Sequence, residues 1–178
     1  MTNKGTVTLE TERLILRQFE DGDLPALYEI MLKPEVMHAW EHGFTLEETR
    51  EWLNHQITHF QLGGFGYMAV LLKSIDTLIG QAGLHNTEIE GQPVTEIGYI
   101  FDDTAWGKGY ATEASMAVID FAFGEIGLEK LYATIRPENL PSIKVVERLG
   151  FKHESEYVKI YNGKEMVHWI FIIEGDAR

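Results

Sequence analysis

The alternation of hydrophobic and polar positions predicts seven strands and about four helices in mixed order. Strands are indicated where short apolar stretches are bounded by turn-forming residues, at residues 12–19, 65–73, 78–85, 94–101, 131–136, 152–161 and 164–173. Helices are indicated by capping residues and by apolar spacings of three and four, at residues 23–31, 46–60, 109–123 and 139–149. The order β-α-α-β-β-β-α-β-α-β-β predicts an α/β or α+β fold, with helices packed against one sheet.

The ends of two elements are marked by residues with a specific backbone role. Thr45 followed by Glu48 is a capping box, which satisfies two free amide groups at the start of the second helix. The glycines at residues 63–64 end that helix. Asn162 and Gly163 are the preferred pair for a type I′ turn, so the last two strands are predicted to form a hairpin.

Length and composition limit the class of protein. The 178 residues are 44% hydrophobic and 24% charged, with no internal repeat and no linker, which predicts one domain over residues 1–178. The chain has no cysteine, so disulfides, thiolate nucleophiles and cysteine-based metal sites are excluded. No apolar stretch approaches the ~20 residues that cross a bilayer, and the first residues are polar. We therefore expect a cytoplasmic protein without a membrane partner.

The charge of the chain is strongly acidic. Asp and Glu together number 28 against 15 Lys and Arg, which gives a formal net charge of −13. A field of this sign disfavours nucleic acid as a partner and favours a cationic one, such as an amine. Surface carboxylates that keep a protein soluble would produce the same balance.

The most informative segment is the hexapeptide Trp-Gly-Lys-Gly-Tyr-Ala at residues 106–111, between a predicted strand and a predicted helix. Glycines at such a turn let backbone amides converge on an anion, and the helix adds the positive end of its dipole. A pyrophosphate-binding loop is therefore predicted. A dinucleotide-binding oxidoreductase is a poorer match, because it needs a third glycine where this chain has Thr112. Glu129, at the spacing of its acidic ribose ligand, precedes the next strand instead of ending it.

Three motifs in register with these elements resemble the GNAT N-acetyltransferase superfamily. They are Glu-Ile-Gly-Tyr at residues 96–99, Trp-Gly-Lys-Gly-Tyr-Ala-Thr-Glu-Ala at 106–114, and Asn-Leu-Pro-Ser at 139–142 with Leu-Gly-Phe at 149–151. The likeness spans nearly the whole chain and is closest to the RimJ/RimL-like branch, related to the ribosomal-protein alanine N-acetyltransferases. It implies the GNAT fold, a mixed, mostly antiparallel seven-stranded sheet splayed at its central strands, and a reaction that uses acetyl-CoA.

The resemblance also implies a binding site for coenzyme A. Backbone amides would face the pyrophosphate at Gly107, Lys108, Gly109, Tyr110, Ala111 and Thr112. Trp106 belongs to the same loop, but the superfamily more often has Arg or Gln there, so the resemblance implies a backbone role for this position and no contact from its side chain. The pantetheine arm would pair with the open strand edge at Tyr99, Ile100 and Phe101.

Further contacts to the coenzyme are implied with alternatives left open. Asn139 resembles the coenzyme-binding asparagine of the family and is equally a good helix N-cap. Lys108, Lys144 and Arg148 are candidates for the remaining phosphates, or are solvated surface charges.

Acetyl transfer requires a neutral amine, whereas a lysine-type ammonium has a pKa of ~10.4. Glu96 matches a glutamate recurrent in the branch and is the first candidate for the base, and His85 is the rival. A backbone amide near Tyr99 could stabilise the oxyanion. Ser142 stands where the branch has a serine near the sulfur, so it is the candidate proton donor to the thiolate; Tyr132 and Tyr157 are alternatives, unless they only pack.

The function implied is an acetyl-CoA-dependent N-acetyltransferase in which a primary amine attacks directly in a ternary complex. The alternative is a non-catalytic module that binds acyl-CoA. The acceptor is not identified by the sequence, and the segment before Gly63, with Trp40 and Trp52, either shapes its pocket or only packs. His55 and His59 have metal-ligand spacing but no recognisable further ligand, so no metal is predicted. Monomer and homodimer are both compatible with the sequence.

Overall fold

The computed structural model describes residues 8–175. Its strands are β1 Thr8–Glu10, β2 Leu14–Arg17, β3 Tyr67–Leu72, β4 Thr77–Ile89, β5 Gln92–Phe101, β6 Lys130–Ile135, β7 Lys152–Tyr161 and β8 Lys164–Glu174. Its α-helices are α1 Leu24–Met31, α2 Leu46–Gly63, α3 Tyr110–Phe121 and α4 Leu140–Arg148. Short 3-10 turns lie at Asp21–Asp23, His38–Trp40 and Asp103–Ala105, and a π-helical turn at Ala122–Ile126 follows α3.

The strands form one sheet in the order β1-β2-β3-β4-β5-β6-β8-β7, antiparallel except between β5 and β6. The predicted α/β fold with a mostly antiparallel sheet is confirmed, but the described part has eight strands where seven were predicted. The additional strand is β1, whose three residues are too few to produce a periodic pattern. The predicted first strand, residues 12–19, is correspondingly shortened to β2.

The hairpin of β4 and β5 is longer than predicted. Pairing continues from the middle of the sheet to Ile89 opposite Gln92. Only Glu90 and Gly91 remain in the turn, and both have positive φ, 50° and 77°. Two turn residues with positive φ match the right-handed twist of the flanking strands. The residues between the predicted strands 78–85 and 94–101 are therefore paired up to this turn, and they extend both strands. Glu96 was predicted near the start of this strand, but it lies in the middle of β5.

The caps of α2 form as predicted. The Thr45 side chain accepts a hydrogen bond from the Glu48 amide at 3.2 Å, and the Glu48 carboxylate accepts one from the Thr45 amide at 2.7 Å. The helix continues through Gly63, and Gly64 takes the left-handed conformation after it, with φ 80°. A cap of this kind contributes about 1 kcal/mol and fixes where the helix begins.

The sheet has two apolar faces, which we call the α3 face and the α2 face. Strand β3 shows the alternation: Met68 and Val70 are buried with α3 and α4, whereas Tyr67 and Ala69 are buried with α1 and α2. Fully burying an apolar side chain contributes roughly 1.5–3 kcal/mol, so both layers stabilise the sheet. Within residues 8–175, no helix is long and apolar enough to cross a membrane.

The two central strands diverge, as the prediction of a splayed sheet requires. β5 pairs with β4 at ten positions, from Gly80–Phe101 to Ile89–Gln92, but with β6 only at Glu96 opposite Tyr132. Beyond Glu96 the two strands separate, so one edge of β5 lacks a neighbouring strand there. This opening positions the site.

Candidate active site

A cavity of about 660 Å³ lies where β5 and β6 diverge, and it reaches from the start of α3 to the α2 face of the sheet. All but one of the predicted site residues line it. They are Glu96, Tyr99, Ile100, Phe101, Trp106, Gly107, Gly109, Tyr110, Ala111, Thr112, Asn139 and Ser142. The exception is Lys108, although its neighbours on both sides are lining residues. Lys144 and Arg148, the other candidate cations, line the cavity as well.

The glycine turn has the backbone conformation that its sequence requires. Gly107 and Gly109 have φ values of 72° and 81°, which are strained for residues with a Cβ atom. Gly109 immediately precedes α3, whose first residue is Tyr110. The indole of Trp106 donates to the carbonyl of Phe101 at 2.9 Å, so this side chain braces the loop against β5. The free amides at the start of α3 suit an anion.

An ion pair that the sequence analysis missed holds the glycine turn. Arg13, beside β2, contacts the Glu113 carboxylate from Nε at 2.7 Å and from Nη2 at 2.6 Å. Its Nη1 donates to the carbonyl of Lys108 at 2.9 Å, and its guanidinium lies 4.5 Å from the centre of the Tyr110 ring. Thr11 donates to the same carboxylate at 2.6 Å. Glu113 is within the motif at residues 106–114, whereas Arg13 is outside the motifs, and only the fold brings the two together.

The first turn of α4 is fixed to β5 by Tyr99. The Tyr99 hydroxyl donates to the carbonyl of Ser142 at 3.0 Å, and burial raises its pKa, so it stays protonated. Asn139 caps α4, because its side-chain oxygen accepts from the Ser142 amide at 3.3 Å. The cap that the sequence allowed is therefore present, and the side-chain nitrogen of Asn139 is left for other contacts.

The two candidate bases, Glu96 and His85, are in contact. The Glu96 carboxylate accepts hydrogen bonds from the amide of Thr134 at 2.8 Å and from its hydroxyl at 2.5 Å. His85 Nε2 lies 3.4 Å from the other carboxylate oxygen. Burial would raise the pKa of Glu96, but His85 and Thr134 outweigh it and the net shift is downward. Because a carboxylate only accepts, Nε2 carries the proton, and Nδ1 is buried without a hydrogen-bond partner among the described residues.

Tyr67 is a further residue of the site that the sequence gave no reason to select. Its ring stacks on His85 with centroids 5.7 Å apart. Its hydroxyl lies over Gly98, where an added Cβ atom would be 1.7 Å from that oxygen. Burial raises the pKa of Tyr67, so the hydroxyl stays protonated. Only the pairing of β3, β4 and β5 reveals this contact.

The end of the cavity opposite α3 has walls from two segments distant in sequence. One is the 3-10 turn His38–Trp40, and the other is the hairpin of β7 and β8, through Lys159, Tyr161, Met166 and His168. Glu41, just after the turn, joins the walls by a 3.0 Å ion pair with Lys164. Trp52 does not line the cavity; it packs behind Trp40 and donates to Gln81 at 2.8 Å.

The remaining candidates lie outside the cavity. Tyr132 and Tyr157 do not line it, which leaves Ser142 as the predicted thiolate donor within it. The rings of His55 and His59 are 4.3 Å apart on α2, and no group of three possible metal ligands occurs among residues 8–175.

Comparison with families and known proteins gives a consistent result. The acetyltransferase (GNAT) domain model matches residues 13–152. The chain is 36% identical over 155 residues to the uncharacterized Bacillus subtilis (strain 168) protein YkkB, covering 86% of this chain and 90% of YkkB. It is 32% identical over 152 residues to the uncharacterized N-acetyltransferase YnaD of the same strain, covering 85% and 86% of the two chains.

Solved structures agree in fold. A GNAT-family acetyltransferase from Bacillus anthracis superposes with a TM-score of 0.84 and 28% identity, covering 96% of this chain and 99% of that one. Two others share the fold at lower identity. One is the ribosomal-protein-S5-alanine acetyltransferase of Vibrio fischeri, with a TM-score of 0.78 and 24% identity, covering 96% of this chain and 97% of that one. The other is the spermidine N-acetyltransferase of Vibrio cholerae in complex with CoA and spermine, with a TM-score of 0.76 and 23% identity, covering 93% of this chain and 98% of that one.

Proposed function

The chain belongs to the GNAT acetyltransferase family, which uses acetyl-CoA, and is an N-acetyltransferase; on that premise we propose that it acetylates a primary amine by direct attack. Both substrates are bound together, the amine nitrogen forms a bond to the acetyl carbon, and the thiolate of coenzyme A leaves. No acetyl-enzyme is needed. The lack of cysteine supports this route.

Coenzyme A lies with its pyrophosphate on the glycine turn and its pantetheine arm in the opening between β5 and β6. Amides of residues 107–112 donate to the phosphate oxygens, and Arg13 fixes the loop through the Lys108 carbonyl. The arm takes the place of a neighbouring strand along residues 97–101, which lack one on this edge. Lys144 and Arg148 on α4 face the remaining phosphates, and Asn139 offers its side-chain nitrogen.

Glu96 and His85 together remove the proton from the acceptor ammonium. With its pKa lowered, Glu96 is ionised near neutral pH and is a weak base on its own. Its contact with His85 Nε2 fixes the imidazole ring, and the proton that leaves the ammonium is taken up on the Glu96 carboxylate, which the Nε2–H group continues to hold. The proton reaches this pair directly or through a water molecule. The two residues are therefore positioned to act as one unit.

The negative charges that develop on the carbonyl oxygen and on the thiolate are stabilised on the other side of the thioester. A backbone amide of the free β5 edge near Tyr99 donates to the oxyanion. The Ser142 hydroxyl donates to the departing thiolate, and the bond from the Tyr99 hydroxyl to the Ser142 carbonyl keeps the first turn of α4 in place. The products are an N-acetylated amine and free coenzyme A.

The observation that carries this proposal is the continuity of one cavity from the glycine turn to the Glu96–His85 pair. The test is release of coenzyme A from acetyl-CoA in the presence of a protein N-terminal peptide, a polyamine, an aminoglycoside and free amino acids. We expect at least one amine to be acetylated. If acetyl-CoA raises the melting temperature but no amine reacts, a non-catalytic acyl-CoA-binding module becomes the better description.

The branch is proposed on the motifs alone. Residues 96–99, 106–114 and 139–142 support a place near the ribosomal-protein alanine N-acetyltransferases. Structures of similar fold include a ribosomal-protein acetyltransferase and a spermidine acetyltransferase, so the branch does not select the acceptor. The acceptor must be inferred from the cavity.

A further inference from the structure

The cavity has a different charge balance from the chain. The chain has 28 acidic and 15 basic residues. Among the described residues that line the cavity, Glu96 is the one carboxylate, whereas four are cations: Arg136, Lys144, Arg148 and Lys159. Acidic side chains have therefore been kept out of this opening while the rest of the surface is rich in them. The imbalance points to a substrate with negative charge.

Two of the four cations lie apart from the donor loop. Lys144 and Arg148 are on α4, at the side assigned to the phosphates of the coenzyme. Arg136 follows β6, in which Leu131, Ala133 and Ile135 are buried on the α3 face. Because side chains alternate along a strand, Arg136 falls on the opposite, α2 face.

Lys159 lies on the same face as Arg136. It pairs with Met166 across the hairpin, whereas Phe171 and Ile173, an odd number of positions away on β8, are buried on the α3 face. His168, two positions after Met166 on β8, lines the cavity as well, and burial lowers its pKa. Arg136, Lys159 and the Glu96–His85 pair therefore line one cavity.

Both cations have donors that are free to bind a ligand. Glu138 contacts Arg136 through Nε at 2.6 Å and Nη2 at 2.5 Å, which are on one edge of the guanidinium. The Nη1 donors have no partner among residues 8–175. Lys159 makes no ion pair within the same residues. A planar guanidinium with a free edge and an unpaired ammonium, both lining one cavity, are suitable binding groups for a carboxylate.

The same region is poorly suited to a polycation. Glu96 already accepts two hydrogen bonds from Thr134 and contacts His85. No second carboxylate among the described lining residues could pair with a further ammonium. A polyamine would therefore place its other charges beside Arg136 and Lys159, where like charges repel.

We propose that the acceptor is a small amine that also carries a carboxylate, of the α-amino acid type. Arg136 and Lys159 bind the carboxylate, and the ammonium lies beside the Glu96–His85 pair. Trp40, Tyr161 and Met166 line the same end of the cavity and contact an apolar side chain. This inference rests on the function proposed above and specifies its substrate.

The test compares acceptors that differ only in the carboxylate. Acetyl transfer is measured with L-alanine, L-methionine and L-phenylalanine, each against its carboxamide, and with spermidine and a C-terminally amidated tripeptide. We expect kcat/KM for at least one free amino acid to exceed that of its amide by about 10- to 100-fold, as loss of a charge-assisted contact implies. Equal rates for acid and amide, or preference for spermidine or the tripeptide, overturn the inference but leave the N-acetyltransferase in place. Failure with every amine overturns both.

Variants assign the preference to the two cations. Lys159→Met and, separately, Arg136→Met lower kcat/KM for the free amino acid about tenfold or more and leave the carboxamide within about twofold. Lys159→Arg keeps the charge and retains most of the preference. Lys152→Met on the same strand is the matched control, because Lys152 does not line the cavity. An equal loss with acid and amide would mean that the cations only support the fold, and the inference would fail.

Discussion

The half of the cavity that we assign to acetyl-CoA, the donor half, and the half that we assign to the amine, the acceptor half, are built in different ways. The donor half consists mainly of backbone: the glycine turn, the start of α3 and the unpaired edge of β5. The acceptor half consists of side chains from many elements, among them Glu96 on β5, His85 on β4 and Lys159 on β7. A backbone site can be used by every member of a family that shares one coenzyme. A side-chain site can be altered one residue at a time, so substrate preference can change while the donor half is kept.

The largest effect is expected when either residue of the Glu96–His85 pair is replaced. Glu96→Gln and His85→Gln are each expected to lower kcat by about 10²- to 10³-fold, because proton removal typically contributes ~10²- to 10⁴-fold. The KM for acetyl-CoA should stay within about twofold, since neither residue belongs to the donor half. Steady-state kinetics with a saturating amine measures both constants, and Glu88→Gln, an exposed change on β4, is the control. Near-normal turnover by Glu96→Gln would remove this residue from the reaction.

The next effect concerns the donor half alone. Gly109→Ala places a Cβ atom at φ 81°, which costs about 1–2 kcal/mol, so the dissociation constant of acetyl-CoA should rise about tenfold. Calorimetry measures this constant, and KM for the amine at saturating donor should be unchanged. Gly124→Ala is the control, because an added Cβ atom there meets nothing within 4 Å. Unchanged acetyl-CoA binding would mean that the turn conformation matters for the fold and not for the ligand.

The ion pair of Arg13 and Glu113, which holds the glycine turn of the donor half, contributes a smaller effect that depends on pH. Burial raises the pKa of Glu113, but bonds from Thr11 and Arg13 outweigh it, so the folded-state pKa is lowered. The carboxylate therefore stabilises the fold above the unfolded pKa of about 4.3, and this contribution is lost as pH falls through the lower folded value. Glu113→Gln should reduce the free energy of unfolding by about 1–3 kcal/mol near pH 7.

Urea unfolding at several pH values tests the sign of this contribution. The gap between wild type and Glu113→Gln should shrink below about pH 4.3. Glu125→Gln, beyond the end of α3, is the control and should show no such change in the gap. A gap that is constant with pH would show that the hydrogen bonds, and not the charge, hold the turn.

The smallest effect concerns the closure of the acceptor half. The pair of Glu41 and Lys164 joins its two walls but is exposed, and such pairs contribute about 0–1 kcal/mol. Lys164→Met should raise KM for the amine no more than about threefold, mostly at low salt, and leave KM for acetyl-CoA unchanged. Lys130→Met breaks the similar exposed pair with Glu174 outside the cavity and should change neither constant. A large change in KM for acetyl-CoA in Lys164→Met would contradict the division into two halves.

Features that depend on local sequence were predicted best. The glycine turn, the Thr45 cap of α2 and the last hairpin depend on neighbouring residues, and all three are present. Strand ends were less accurate: β4 continues through Ile89, because the turn at residues 90–91 is tight enough to leave the flanking residues paired.

The acceptor half depends on strand register, which the sequence does not supply. His85 and Glu96 were chosen separately as rivals, and only the pairing of β4 with β5 makes them one unit. Tyr67 and Arg13 had no local pattern that marked them at all. The net charge of −13 is an average over the chain and does not describe the cavity, which is lined by four cations and one carboxylate among the described residues.

The contact between Tyr67 and Gly98 restricts how the protein can diverge. A Cβ atom at position 98 would be 1.7 Å from the Tyr67 hydroxyl, so Gly98 cannot be enlarged while Tyr67 stays in place. Related sequences should therefore carry a larger residue at position 98 only where position 67 has lost its ring. In a mutant library directed at the acceptor pocket, these two codons have to be varied together.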